Sequence, residues 1–138
     1  MAELERELAK ISSVFLGIED HGILTMSISL VGIEGGWGQG YGGHSFGHTD
    51  SKTGEFIGHP SGSEMIHALI DTFNVERLEQ LKGKYCWVWR EKGFMSVIEY
   101  IQALGEIGGK IYDEQKVVDD CLKRLKTRGM SLWKFEDD

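Results

Sequence analysis

The sequence predicts an α+β fold: an antiparallel sheet of about five strands with two or three helices packed on one face. Three observations lead there. Segments of alternating apolar and polar residues follow one another across short turn-forming connectors, as in hairpins. Segments with helical spacing are few and grouped instead of separating every pair of strands, which argues against a parallel α/β sheet. A chain of 138 residues with 41% hydrophobic content can build one core without disulfides or metals.

The elements follow in order. Ile11–Ile18 is apolar and β-branched, and Glu19-Asp20-His21-Gly22 has turn composition. Gly22–Gly32 then alternates Leu24, Met26, Ile28 and Leu30 with Thr25, Ser27 and Ser29. These two runs read as an antiparallel hairpin with one wet face. After Ile33 and Glu34 comes Gly35–Gly43, in which six of nine residues are glycine, predicted as the third strand of a meander. In an extended chain Trp37, Gln39 and Tyr41 share one face, and Gly38, Gly40 and Gly42 leave the other bare. A bare face admits a helix, a second backbone or a ligand.

His44–Pro60 is polar and reads as a loop. Ser61 and Glu64 have capping-box spacing, followed by Met65, Ile66, Leu69, Ile70 and Phe73 on one helical stripe. A short helix over Val75–Leu81 ends at Gly83. Lys84–Arg90 places Tyr85, Trp87 and Trp89 opposite Cys86 and Val88. Met95–Gln102 is open between two readings: Val97, Ile98, Ile101 and Leu104 have helical spacing, while the preceding Glu91-Lys92-Gly93 turn favours a strand, which is the reading adopted. Gly105–Gly109 is a linker, and Asp113 caps a last helix carrying Val117, Val118, Cys121, Leu122 and Leu125, closed by Gly129. Met130–Asp138 is a docked tail through Leu132, Trp133 and Phe135. Residues 1–138 form one domain, with 105–138 as C-terminal helix and tail.

The net charge is −7, and it is uneven: residues 1–60 hold eight acidic and three basic side chains, residues 61–138 fourteen and twelve. This acidity argues against direct DNA binding, which calls for a basic stripe. Met1–Leu8 is charged and helix-prone, unlike a signal peptide, and no apolar run nears the ~18 residues of a membrane helix. Cys86 and Cys121 lack CxxC or zinc spacing, so the expected setting is a reducing cytoplasm with no membrane partner.

Gly38-Gln-Gly40-Tyr-Gly42-Gly43 is formally GxGxxG, but His-Ser-Phe-Gly-His follows in place of a helix, and GKS or GKT is absent. The candidate ligand surface is therefore unconventional: Trp37, Gln39, Tyr41, Gly38, Gly40 and Gly43, with Asp20 and His21 beside them. Its alternative is a glycine face pressed on a helix. His44, His48 and Asp50 carry metal-ligand chemistry. The aromatic row of β-alternating Tyr85, Trp87 and Trp89 suits a stacking platform, a cross-strand ladder or an interface anchor.

Phe15-Leu-Gly-Ile-Glu-Asp-His-Gly-Ile-Leu-Thr25 followed by Gly36-Trp-Gly-Gln-Gly-Tyr-Gly-Gly43 resembles a family of small uncharacterised phage and prophage proteins. Its double motif is EDHG, two apolar residues and Thr, then GQG-aromatic-GG. The resemblance extends through Gly62–Phe73 to Tyr85. The chain departs from it at His44 and Ser45, where an aromatic and a small apolar residue are expected, and in its last helix. The resemblance implies a phage accessory protein in the host cytoplasm. The expected function is then non-enzymatic binding, in counter-defence, of a host protein or a signalling nucleotide. The alternatives are a small metal-dependent hydrolase using Asp20, His21, His44, His48 and Asp50, and a structural homo-oligomer with its sheet aromatics buried between copies.

Overall fold

The computed structural model describes residues 3–19, 22–93, 96–105 and 109–129. Asp20, His21, Met95 and the tail 130–138 lie outside them. The strands are β1 (Leu4–Glu19), β2 (Ile23–Gly32), β3 (Gly38–Thr49), β4 (Phe56–Gly58), β5 (Tyr85–Glu91), β6 (Ile98–Ala103) and β7 (Ile111–Tyr112). The helices are α1 (Gly62–Phe73) and α2 (Glu114–Thr127), with a 3-10 turn at Leu78–Leu81. One seven-stranded sheet runs β4-β3-β2-β1-β5-β6-β7, and all its neighbouring pairs are antiparallel. The α+β class holds, and β4 and β7 bring the strand number above the expected five. Among the described residues no helix is long and apolar enough to cross a membrane.

The alternation of β2 sorts as predicted from Met26 to Leu30, but Thr25, expected on the wet face, is buried and Leu24 is half-buried where the register with β3 shifts. Met26, Ile28 and Leu30 are buried while Ser29 is exposed. In register beside them stand Ile11 on β1 and, further along, Cys86 and Val88 on β5 and Ile101 on β6, all buried. Met65, Leu69 and Phe73 of α1 and Val118 of α2 close over this face and complete the core. The two helices are tied together by an ion pair between Glu64 and Arg124.

Four expectations need correction. Met1–Leu8 is not helical where it is described: β1 begins at Leu4, and its first seven residues pair with β5 from Leu4↔Glu91 to Lys10↔Tyr85. Strand neighbours override the local helix propensity of the Glu-rich segment. The predicted loop His44–Pro60 is instead strand over 44–49 and 56–58. Bulges on β3 keep it paired with β2 down to Ile23↔His48 despite its glycines and polar residues. Ser61 is the N-cap of α1 by position, but no capping box forms. Its hydroxyl lies 2.8 Å from His59 Nδ1, and Glu64 turns to Arg124. The Val75–Leu81 helix shrinks to the 3-10 turn. Asp113, by contrast, caps α2 as expected, its carboxylate accepting from Lys116 N at 3.2 Å.

The sheet is strongly coiled. Gln39 on β3 donates to the carbonyl of Ser96, just before β6, at 2.9 Å, and Tyr41 donates to that of Glu99 at 3.1 Å. Four strand spacings separate β3 from β6, ~19 Å on a flat sheet, which neither side chain can span. The coiling brings the two far strands face to face around the core.

Replacing Ile28, fully buried at the sheet centre, by Ala is expected to cost about 2–5 kcal/mol of stability. A urea titration should show a lowered midpoint with an unchanged slope.

Candidate functional site

Trp37, Gln39 and Tyr41 do share a face, and it is the concave, helix-bearing one. Gln39 pairs with Leu30 and Tyr41 with Ile28, both core residues. Trp37 Nε1 donates to Glu7 Oε2 at 2.8 Å, and its ring lies over Gly32, where a Cβ would strike it. Arg90 on β5 is 4% exposed. Its Nη2 donates to Glu7 Oε1 at 2.7 Å, its Nη1 donates to Gln39 Oε1, and its guanidinium stacks 4.4 Å from the Trp37 ring centroid. The hydrogen bond from Arg90 holds the Glu7 carboxyl below its usual pKa, against a partial desolvation that raises it.

The second half of this polar clasp centres on Tyr41. Its hydroxyl donates to Glu99 O and accepts from Glu114 N at 3.0 Å. Glu114, buried at the start of α2, accepts from Tyr112 OH at 2.7 Å and from His44 N at 3.0 Å. The Tyr41 and Tyr112 rings meet edge to face at 6.1 Å. Burial pushes the pKa of both phenols upward, so both stay neutral donors.

The glycine face has the opposite aspect. No described helix covers it at Gly38 and Gly40, where a Cβ would meet only a carbonyl oxygen, at 3.8 and 3.9 Å. The alternative of glycines pressed on a helix therefore does not apply at Gly38 and Gly40, whereas a Cβ on Gly42 would come within 3.3 Å of Glu114 at the start of α2. Gly42 differs. At φ +110 it supports the bulge beside Met26, whose oxygen would lie 2.8 Å from a Cβ.

His44 and His48 line a cavity of about 440 Å3 with His59 and Asp119, and Gly43 sits on its rim. Asp50 does not join them. Its carboxylate accepts from Lys52 N and Thr53 N in the turn after β3. Among the described residues no three His, Cys, Asp or Glu side chains are placed to hold one metal ion. Cys86 is buried in the core, which pushes its thiol up to about 12.

The convex face carries the aromatic row. Tyr85, Trp87 and Trp89 point away from Cys86, Val88 and Arg90. Arg6 lies 4.1 Å over the Trp87 ring, Lys10 6.0 Å from that of Tyr85, and Trp89 stacks on Tyr100 at 5.8 Å. Both cations come from β1, in register with β5. No described helix packs over this face.

Sequence reasoning missed Glu7, Arg90, Tyr112 and Glu114. Arg90 had left one signal, a charge in the buried register of Cys86 and Val88. Comparison of the chain with protein-family models, with curated proteins and with solved structures finds no match.

Two outcomes follow from this geometry. Gly40→Ala should fall within about 1 kcal/mol of the parent or exceed it, through a less flexible unfolded chain. Gly42→Ala should lose about 1–3 kcal/mol to backbone strain; thermal melts separate them. For Glu7, whose pKa is lowered on folding, the contribution is complete above the ordinary carboxylate range. It is lost as pH falls through the lowered value. Glu7→Gln should be less stable than the parent at neutral pH, and the two should converge in acid, read by denaturation across pH.

Proposed function

We propose that this chain is a non-enzymatic binding protein that engages a host protein through the convex face of its sheet, as a phage or prophage accessory protein would. One observation carries this reading. Four aromatic side chains, Tyr85, Trp87, Trp89 and Tyr100, line a face over which no described helix packs, with Arg6 and Lys10 seated beside them. Aromatic and arginine side chains are the residues that anchor protein interfaces, and a sheet of this kind needs only one face for its core. The distribution of chemistry agrees with binding: Glu7, Gln39 and Arg90, and Tyr41, Tyr112 and Glu114, hydrogen-bond one another in the clasp. The double motif EDHG…GQG-aromatic-GG supports the phage context, and counter-defence is the role that context suggests.

A structural homo-oligomer is the second reading, favoured by Phe15, Val31 and Ile33, which are also exposed. The two readings separate in one experiment. Immobilised protein is challenged with bacterial lysate beside Trp87→Ala and Tyr85→Ala variants, and light scattering is run on the same samples. The proposal expects a monomer that retains one host protein in stoichiometric amount, with at least tenfold less on the variants, whose melting points stay near the parent's. A dimer abolished by the same substitutions supports the homo-oligomer. Retention of nothing, together with silence in calorimetric titrations of nucleotides, overturns binding altogether.

A further inference from the structure

The coiled sheet leaves two strand edges facing each other, and among the described residues no strand neighbours β3 before Gly47 or the first half of β6 on that side. On β3 the backbone orientation can be read from its hairpin with β2. Gly32 N donates to Trp37 O at 2.8 Å, so Gly32 and Trp37 form a hydrogen-bonded pair. Antiparallel alternation then turns the peptide groups of Gln39 and Tyr41, partners of Leu30 and Ile28, toward β2. The N–H and C=O groups of Gly38 and Gly40 point the other way. On that side β4 pairs only with Gly47–Thr49. The opposing edge is β6, where β7 pairs only with Ile101 and Gln102. Ala103 N donates to Lys110 O, so the same alternation aims the backbone of Glu99 into the gap, where its carbonyl takes the Tyr41 hydroxyl.

Between these edges lies a cleft of about 820 Å3, floored by Gln39 and Tyr41 and walled on its third side by the first turns of α2. At its upper end Glu114 Oε1 accepts from His44 N, so a side chain occupies the place that a neighbouring strand's carbonyl would take. Lower down, at Gly38 and Gly40, no side chain of a described residue supplies such a group. The fold does not require these two glycines, since a Cβ on either would meet nothing closer than 3.8 Å. Gly40 lines the cleft, and its missing side chain keeps the rim low beside the strand edge that continues to Gly38. Glu99, Asp113, Asp119 and Asp120 stand around the cleft against Lys116 and Lys123, and Lys116 is paired with Asp120 at 2.9 Å.

We infer that this cleft receives an extended, lysine- or arginine-bearing segment of a partner protein, which adds a strand to the Gly38–Gly40 edge of β3. Main-chain hydrogen bonds supply the attachment in this mode, and alternate side chains supply the selectivity. The acidic excess of the wall selects basic side chains on the segment, and the bare rim leaves room for them on the outer side. This surface lies apart from the aromatic face, so the two stand or fall separately.

The test uses an array of octapeptides varied at alternate positions among Lys, Glu and Val, probed with the whole chain. Lys-bearing peptides should be retained at least tenfold above their Glu counterparts. N-methylation of the alternate backbone amides that face β3 should remove at least nine-tenths of that signal. Gly40→Pro should do the same without unfolding the protein, because it deletes an N–H that points into the cleft and leaves the β2 ladder whole. Amide exchange at Gly38 and Gly40 should slow with a retained peptide and stay unchanged elsewhere on β3. Retention of no peptide, retention indifferent to methylation or to Gly40→Pro, or occupancy of the edge by a second copy, seen as self-association lost in Gly40→Pro, each overturns the inference. Loss of lysate capture by Trp87→Ala with peptide binding intact would confine that variant's defect to the convex face.

Discussion

The coil of the sheet is the constraint on which the rest of this molecule depends, and side chains on β3 hold it. Gln39 hydrogen-bonds both Arg90 and the carbonyl of Ser96, and Tyr41 joins Glu99 to the first turn of α2. Both reach across the concave side, where a flat sheet would leave empty space. The apolar core, with Ile28, Leu30, Val88 and Ile101, packs on the same concave side. Arg90 is central because its guanidinium meets three groups at once: a carboxylate, an amide and an indole face. A planar fork suits such a site better than an ammonium would. Its Nε finds no partner among the described residues. That leaves the guanidinium's hydrogen-bonding to its two terminal nitrogens.

The same arrangement explains why one glycine-rich strand carries two unlike surfaces. Period-two alternation sends the large residues inward to the clasp and the hydrogen-only residues outward. Strain-bearing glycine at position 42 and open glycines at 38 and 40 then do different jobs within five residues of each other. Composition alone would treat them as equivalent.

Much of the fold was legible because its signal is local. The alternation of Met26–Leu30 and of Tyr85–Arg90 named its buried side correctly, and Asp113 marked the start of α2. What escaped was carried by distance. The Arg90 bonds join residues 83 and 51 positions apart, and no local pattern records which distant carboxylate will sit under an arginine. His44–Thr49 looked like a loop because bulge glycines and polar residues interrupt its period. Its pairing is imposed by β2 and β4 on either side. The candidate site was half legible: Trp37, Gln39 and Tyr41 were correctly placed on one face. Which face the helices would take depends on the coil, and the coil depends on contacts that no single segment contains.

The outermost strands of the sheet, β4 and β7, are three and two residues long. Short terminal members offer little template for another chain to extend. The longer unpaired stretches are turned toward each other across the same cleft, so a newcomer lying on one of them has β6 at its back instead of open solvent. The backbone most able to template another chain is thus faced by protein of the same molecule, which works against open-ended addition.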